Sequence, residues 1–390
     1  MDKNKRLTVW LPVIIAASIA LGIFIGNHYL SISQGKKRSY SSGNKINAIL
    51  DIIDEQYVDT VSMSKLVEST IPKIFSELDP HSVYIPAEDA SVVNEELEGS
   101  FSGIGVSFNM QTDTILVISV ISGGPAEKAG LLPFDRIISI NDSIFSGKKK
   151  NQGEIMKTLR GAKNSTVKLG VQRGNSPELL YFDVTRGDVP VNSVDVSYEA
   201  AKGIGYIKVS KFARNTYNEF ITAIAKLKQA GCTSFVIDLR GNTGGYMDAA
   251  INMINEFMPE GRLIVYTEGK SFPRSDVYAN GTGTCKDAPI VVLTDEISAS
   301  ASEIFSGAIQ DNDRGTIIGR RTYCKGLVQT QMSLSDGSEM RLTIARYYTP
   351  SGRCIQKKYE MGNTDAYDQD IYNRYMHGEF DSADSIKMDD

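Results

Sequence analysis

The sequence predicts a multidomain α/β (α+β) protein, and three observations carry that prediction. An uncharged stretch of 20 residues, Leu7 to Gly26, stands apart from all that follows. Residues 101 to 187 read as short strands and turns. From about Val191 apolar strands alternate with amphipathic helices, the pattern of an α/β core. The chain has 390 residues, enough for two or three domains. Its 41% hydrophobic and 23% charged residues fit a globular protein with a sizeable core. The net charge of −5 offers no general attraction to nucleic acid. Lys36-Lys37-Arg38 and Lys148-Lys149-Lys150 are short and lack interleaved aromatics, so they read as solvated faces.

Leu7–Gly26 is about long enough to cross a bilayer as a helix, and Lys3, Lys5 and Arg6 give it a positive start. A cleaved signal peptide is the rival reading. The stretch exceeds a usual signal core and no clean Ala-x-Ala site follows, which favours an uncleaved anchor over residues 1–30. The expectation is export, with membrane attachment through this helix. The four cysteines, Cys232, Cys285, Cys324 and Cys354, show no metal-ligand spacing and make no disulfide scaffold. No metal and no cofactor are expected.

Residues 31–97 read as helical. Ile46, Ile49, Leu50, Ile53 and Tyr57 recur at helical spacing, Leu66, Ile71, Ile74 and Phe75 carry a second helix, and Leu78-Asp79-Pro80-His81-Ser82 breaks it. His81 reads as a turn residue. The apolar faces here suggest a surface for a homo-oligomer or for packing on the core.

The module at 98–187 begins with Phe101-Ser102-Gly103-Ile104-Gly105-Val106 and the β-rich run Thr114–Ile121. Gly124-Pro125-Ala126-Glu127-Lys128-Ala129-Gly130 is a short helix with Pro near its start and Gly at its end. A strand at Asp135–Asn141, a helix through Glu154–Arg160 and a strand at Thr166–Val171 follow. The order resembles a PDZ domain of the circularly arranged bacterial kind. In such a module the Gly103–Val106 loop can turn N–H groups toward a chain-terminal carboxylate, and the adjoining strand edge can accept a peptide as an extra strand.

Residues 188–356 read as the α/β core. Gly205–Val209 is a strand, and Thr216-x-x-Glu219 reads as a capping box before a helix with apolar residues Phe220, Ile221, Ile224 and Leu227, ending at Gly231. The buried strand Ser234–Leu239 feeds Arg240-Gly241-Asn242-Thr243-Gly244-Gly245. A helix from Tyr246, strands at Leu263–Tyr266 and Pro289–Thr294, and a helix opening around Ser300 complete the run.

The chemistry is read from Ser298-Ala299-Ser300-Ala301-Ser302-Glu303 and from Lys325, 25 residues beyond Ser300. Only three histidines exist, His28, His81 and His377, and none is near the serine run in sequence. A serine nucleophile needs a base, and a lysine is the best-placed candidate. Ser300 has small neighbours and sits at a helix start, where N–H groups such as that of Ala301 can face an oxyanion. An N-cap role explains the same serine, and Ser298 and Ser302 compete as nucleophiles. Lys325 must be neutral to act as a base, which burial favours. Gln329 could hold its amine, and Gly244-Gly245 could supply a second oxyanion N–H.

Asp238–Gly245, Ser298–Ile304 and Lys325-Gly326-Leu327-Val328-Gln329 resemble, in register, the three hallmark motifs of the carboxy-terminal processing peptidases, or tail-specific proteases. Leu78–Ser82 and the PDZ-like module agree, and the resemblance covers about residues 44 to 356. It implies a serine peptidase core of the crotonase-like (ClpP-related) type. Ser300 would be the nucleophile, Lys325 the general base and Gln329 its support, with Ala301 and Gly244 or Gly245 forming the oxyanion hole. Asp238, Arg240, Glu303 and Asp311 would be supporting residues, and Arg160 would couple the PDZ domain to the site. The implied substrates are exported proteins cut at or near free C-terminal tails, on the extracytoplasmic side of a bacterial inner membrane.

Two positions depart from the family pattern. Cys324 stands where relatives usually have glycine. After Arg346–Arg353 the usual Gly-Ile-x-Pro-Asp strand is missing, and residues 357–390 read as a polar, acidic tail; either the chain is a truncated version or the strand is unnecessary here. A catalytically impaired, peptide-binding or chaperone-like protein is therefore the alternative.

Overall fold

The computed structural model describes residues 16–23, 42–111, 114–147 and 152–386. The chain divides into two compact units, Met1–Thr70 and Ile71–Asp390.

The first unit is helical. Helix α1 is described over 16–23, with Ile19, Leu21 and Ile23 exposed. Helix α2 spans Ser42–Gln56, and α3, Met63–Ser76, begins here. Among the described residues no helix is long and apolar enough to cross a membrane. The remainder of Leu7–Gly26 and the basic runs at 36–38 and 148–150 lie outside the described residues.

The second unit opens with strand β1 (Val83–Ile85) and helix α4 (Ala87–Glu98). The PDZ-like module follows: β2 (Ser100–Gly103), β3 (Val106–Gln111), β4 (Thr114–Val120), α5 (Pro125–Ala129), β5 (Arg136–Ile140), β6 (Ser143–Ile144), α6 (Gln152–Leu159), β7 (Thr166–Gln172), β8 (Leu180–Thr185) and β9 (Gly187–Pro190). Its sheet runs β3-β4-β5-β7-β8, with β6 on β5. Val117, Ile137, Ile155, Leu169 and Val171 are its fully buried centre. Helix α5 has Pro at its first turn and ends on Gly130 at φ +93°, as its sequence predicts. Strands β8 and β9 escape sequence reasoning because Leu180 and Tyr181 are exposed and Asp183 interrupts the apolar run. Strand β9 pairs with β2, so the module's entry and exit leave side by side.

The core contains β10 (Val194–Ala201), β11 (Ile204–Val209), α7 (Thr216–Gln229), β12 (Ser234–Asp238), α8 (Met247–Asn255), β13 (Leu263–Glu268), β14 (Ser275–Tyr278), β15 (Ile290–Thr294), α9 (Ala301–Asp311), β16 (Thr316–Gly319), β17 (Leu327–Ser333) and β18 (Glu339–Tyr348). One sheet runs β10-β11-β12-β15-β16, parallel from β11 onward. Helices α7, α8 and α9 bury their apolar faces with it, and Phe257 meets Phe220, Phe235 and Phe305 edge-on at 6.2, 6.3 and 6.4 Å. A second sheet, β1-β18-β13-β14 with β17 on β18, carries the segment after Lys325.

Two expectations change. The Thr216–Glu219 capping box does not form, because Asn215 is the N-cap and the Glu219 carboxylate accepts the N–H groups of Ser193 (2.7 Å) and Val194 (2.9 Å). The polar tail is not featureless: it folds into α10 (Asp365–Asp368) and α11 (Asp370–Met376), with Tyr367, Arg374 and Glu379 buried. No strand is described after β18 among the described residues.

Candidate active site

Parallel strand β15 ends at Thr294, and the loop after it is fixed by Asp295, which accepts the N–H groups of Ile297 and Ser298 at 3.0 Å each. The three candidate serines then separate. Ser298 is fully buried and its hydroxyl donates to Leu239 O at 2.8 Å. Ser302 is fully buried and donates to Asn242 O at 2.9 Å. Ser300 alone is partly exposed, at φ 55°, ψ −112°. Ser300 is the N-cap of α9 and shares a capping box with Glu303, but an N-cap serine ordinarily holds extended backbone, so its positive φ is a strained position fixed by its surroundings.

What fixes it is Glu303, buried at 1% exposure. Its Oε2 accepts the N–H of Ser300 and the N–H of Lys325, both at 2.8 Å. Its Oε1 accepts Cys324 N–H at 2.7 Å and the Thr322 hydroxyl at 2.6 Å. Burial pushes the Glu303 carboxyl up, while these donors favour its charged form. The buried Tyr347 hydroxyl donates to Lys325 O and lies 3.2 Å from Ser300 O. Carboxylate and phenol together fasten the backbones of the candidate nucleophile and base.

Lys325 is partly buried, and its Nζ donates to Gln329 Oε1 at 3.1 Å. Burial lowers its pKa, and the positive charge of Arg341 adds to the effect, against Asp79 and Glu303. Gln329, on β17, donates its amide to the carbonyl of His81. Among the described residues no hydrogen bond joins Ser300 Oγ to Lys325 Nζ, and such pairs commonly tighten only with substrate. Cys324 sits at φ 69°, a left-handed conformation that glycine adopts without strain. Its thiol is pushed up to about 11 by burial and by Glu303.

The glycine loop lies against the serine. A Cβ on Gly244 would stand 2.8 Å from Ser300 Cβ and 3.1 Å from Ala301 N, and one on Gly245 would stand 2.1 Å from Phe212 O. Both glycines have positive φ, +101° and +138°. Gly244 N–H already donates to Asn242 Oδ1 at 2.8 Å. The N–H groups of Gly245 and Ala301 have no partner among the described residues. The pair available to an oxyanion is therefore Gly245 with Ala301.

The remaining expected residues fall in three places. Asp238 and Arg240 brace the turn after β12: Arg240 pairs with Asp238 at 2.7 Å, and the Tyr206 hydroxyl donates to it at 2.5 Å. Against desolvation, these donors hold the Asp238 carboxyl at about 2. Asp311 ends α9, about 16 Å along the helix from Ser300, and accepts Ser351 N–H at 3.1 Å. It anchors a turn and does not reach the serine. In the PDZ-like module, Ile104 O and Gly105 O accept Ala126 N–H (2.7 Å) and Ile121 N–H (3.0 Å). The N–H groups of Ile104 and Gly105 are left without partners among the described residues, beside the free edge of β3 that starts at Val106. Gly103 packs against the Phe101 ring. Arg160 stacks on that ring at 4.4 Å and pairs with Glu95 of α4 at 3.0 Å, so it ties the module to α4.

Sequence reasoning missed three residues. Asn242 joins both loops: besides Gly244 N–H and Ser302, its carbonyl accepts Ala299 N–H at 3.0 Å and its amide donates to Val209 O at 3.0 Å. Its place inside the glycine motif was the available signal. Tyr347, in an ordinary strand pattern, gave none. His81, read as a turn residue, lies beside Gln329, and its side chain pairs with the Tyr367 hydroxyl at 2.8 Å.

The family model "Peptidase family S41" matches residues 203–365, and the PDZ domain model matches 102–195. The chain is 34% identical over 318 residues to "Carboxy-terminal processing protease CtpB" of Bacillus subtilis (strain 168), spanning 81% of this chain and 66% of that one. It is 33% identical over 365 residues to the "Probable CtpA-like serine protease" of Staphylococcus aureus (strain N315), spanning 92% and 72%. Among solved structures, the photosystem II D1 C-terminal processing protease aligns with 82% of this chain and 91% of its own, at 27% identity and a TM-score of 0.45.

Proposed function

The chain belongs to peptidase family S41, the carboxy-terminal processing serine proteases, and carries a PDZ domain; from that premise we propose that it cuts exported proteins at or near their C-terminal tails through a Ser300–Lys325 dyad. The observation that carries this reading is the common fastening of Ser300 and Lys325 to Glu303 Oε2, beside the unclaimed N–H groups of Gly245 and Ala301. The parallel run β11-β12-β15-β16 supports the crotonase-like plan for the core.

In the proposed reaction the neutral Lys325 amine takes the Ser300 hydroxyl proton as Oγ bonds to the scissile carbonyl carbon. The oxyanion is met by the N–H groups of Gly245 and Ala301. The Lys325 ammonium returns the proton to the leaving nitrogen, the C–N bond breaks and a serine ester remains. Water then attacks the ester, Lys325 takes its proton, and the acyl product leaves as a carboxylic acid while Ser300 regains its hydrogen. Gln329 keeps the amine on one axis, and Glu303 and Tyr347 position the backbones. In the PDZ domain, Ile104 and Gly105 N–H would take the substrate's terminal carboxylate, with the peptide added to β3. Arg160, through Glu95, would transmit occupancy toward the core.

The test is cleavage of an unstructured protein with a free apolar C-terminus, by wild type and Ser300→Ala, with a C-terminally amidated copy alongside. Cleavage lost in Ser300→Ala and slowed by amidation is expected; equal slow degradation by both proteins sinks the peptidase reading and favours a peptide-binding role. We further infer that residues 7–26 anchor the chain in the inner membrane with its catalytic part outside, from the length of that stretch and its basic start. Release by alkaline carbonate washing of membranes would overturn it.

A further inference from the structure

Lys325 lies on a closed ring of hydrogen bonds that passes through the C-terminal helices. Its Nζ donates to Gln329 Oε1, and the Gln329 amide donates to His81 O. The His81 ring pairs through Nε2 with the Tyr367 hydroxyl at 2.8 Å. The Gln356 amide donates to that hydroxyl at 3.3 Å, and Gln356 Oε1 accepts the N–H of Gly326 at 2.9 Å. Gly326 is bonded to Lys325, so the ring closes on the residue where it began.

A second set of contacts holds the preceding residues. Arg374 of α11, 5% exposed, donates to Thr322 O at 3.0 Å and Arg321 O at 2.5 Å. Its Nε donates to Glu379 at 2.8 Å, and the same carboxylate receives Arg321 at 2.9 and 2.8 Å. Lys357 bonds Tyr367 O and Asp370 at 3.2 and 3.1 Å, and it lies over the Tyr323 and Tyr367 rings. The segment 321–326 is thus gripped by Glu303 from the core and by α10 and α11 from the other side.

We propose that Tyr367 is a positioning residue for the general base: its hydroxyl closes the ring that fixes the Lys325 side chain, so the C-terminal helices are part of the active-site architecture rather than an appendage. The proposal rests on reading Lys325 as the base. The closing link is itself dry, because Tyr367 is 4% exposed and its ring meets His81 and Tyr323 edge-on at 5.3 and 6.1 Å, so an opened ring would let the partly buried Lys325 side chain loosen toward water. The charged groups facing Lys325 are Arg341 of β18, Asp79 before β1 and Glu303 of α9. His81 faces it too, and itself faces Asp79 and Lys357. Removing the Tyr367 hydroxyl leaves Arg341, Asp79 and Glu303 in place and touches only His81, itself a link of the ring, so a changed titration of the base reports the ring.

The experiment uses the full chain on the unstructured substrate above, with four variants. Tyr367→Phe keeps the ring packing and deletes the closing hydroxyl; Gln356→Leu opens the ring at another link. Tyr359→Phe, in the same aromatic cluster, is the control, and Lys325→Ala tests the base. Expected for Tyr367→Phe and Gln356→Leu is a fall in kcat of about 10-fold with KM held. The acid limb of kcat/KM should move up by about half a pH unit or more as the amine regains water, at an unchanged melting temperature. Tyr359→Phe should match wild type. An unchanged acid limb in the ring variants overturns the proposal, whether or not kcat falls, because a merely structural role would lower kcat without moving the limb. If Tyr367→Phe melts early, Gln356→Leu decides by the same criterion. Activity retained in Lys325→Ala shows instead that the base reading has failed, and the proposal falls with it.

Discussion

Ser300 and Lys325, 25 residues apart in sequence, donate their backbone N–H groups to the same oxygen, Glu303 Oε2, each at 2.8 Å. The strained backbone of the proposed nucleophile and the strand entrance of the proposed base are therefore set by one buried side chain. A shift in that carboxylate would move both proposed reacting groups at once.

Glu303→Gln tests this directly. An amide must point its NH2 at one group of donors, either Ser300 and Lys325 N–H or Cys324 N–H, and leaves at least one buried N–H unpaired. The expected cost is about 2–3 kcal/mol in urea unfolding, with kcat reduced about 100-fold or more because the reacting groups are misplaced. Near-native stability and turnover together would show that the carboxylate is not the fastening point.

Lys325 has a lowered pKa through burial first and Arg341 second. The neutral, competent fraction grows with pH, so kcat/KM should rise along an acid limb centred below the ordinary lysine value of about 10.4. For stability the sign is fixed by the depressed folded value. Between it and about 10.4 the unfolded chain holds a proton the folded chain lacks, so stability rises with pH across that window. Lys325→Met should remove this slope and be more stable than wild type at neutral pH, while losing activity by about 1,000-fold or more. Denaturant titrations at several pH values, beside a cleavage assay, check both signs.

Asn242 links the glycine loop to the serine loop through Gly244 N–H, Val209 O, Ala299 N–H and the Ser302 hydroxyl. Asn242→Ala keeps the backbone carbonyl contacts and deletes the side-chain ones, leaving Gly244 N–H and Val209 O unpaired in a dry interior. A loss of about 1–3 kcal/mol is expected. Turnover should fall at least 10-fold as Gly245 drifts from Ala301, with KM little changed. Wild-type kcat would remove Asn242 from the support of the oxyanion pair.

His81 has its pKa lowered to about 4, by burial first and by the charge of Lys325 second. The folded imidazole resists a proton that the unfolded one accepts below about 6.5. Stability is therefore lost on acidification between about 6.5 and about 4. Allowing for its partial exposure, wild type should lose about 1–2 kcal/mol more than His81→Gln over that interval. Parallel stability curves for the two proteins would exclude this titration.

Parts of this site were legible because they obey local rules. A buried strand, a loop of small residues and a helix start marked Ser300, and the glycine pair marked a place where only absent side chains allow close approach. The PDZ-like helix announced itself by Pro125 and Gly130. The β17–β18 hairpin was also legible through Asp336-Gly337 between two alternating runs, and Gly337 sits at φ 87°, although sequence reasoning passed it over. The helices around Tyr367 and Arg374 were not. Their buried side chains are a phenol and a guanidinium, so no apolar period marks the inward face.

By itself the sequence marked the order of modules, an α/β core and the candidate dyad, because strand runs, helix faces and motif spacing act over a few residues. Tertiary structure decided which serine is accessible, which glycine N–H remains free, and that Glu303, Tyr347, His81 and Tyr367 converge on Ser300 and Lys325. Those outcomes depend on hydrogen-bond partners up to 286 residues apart, as His81 and Tyr367 are. A buried polar group must find its partner wherever the fold brings one, and local pattern carries no record of which partner that is.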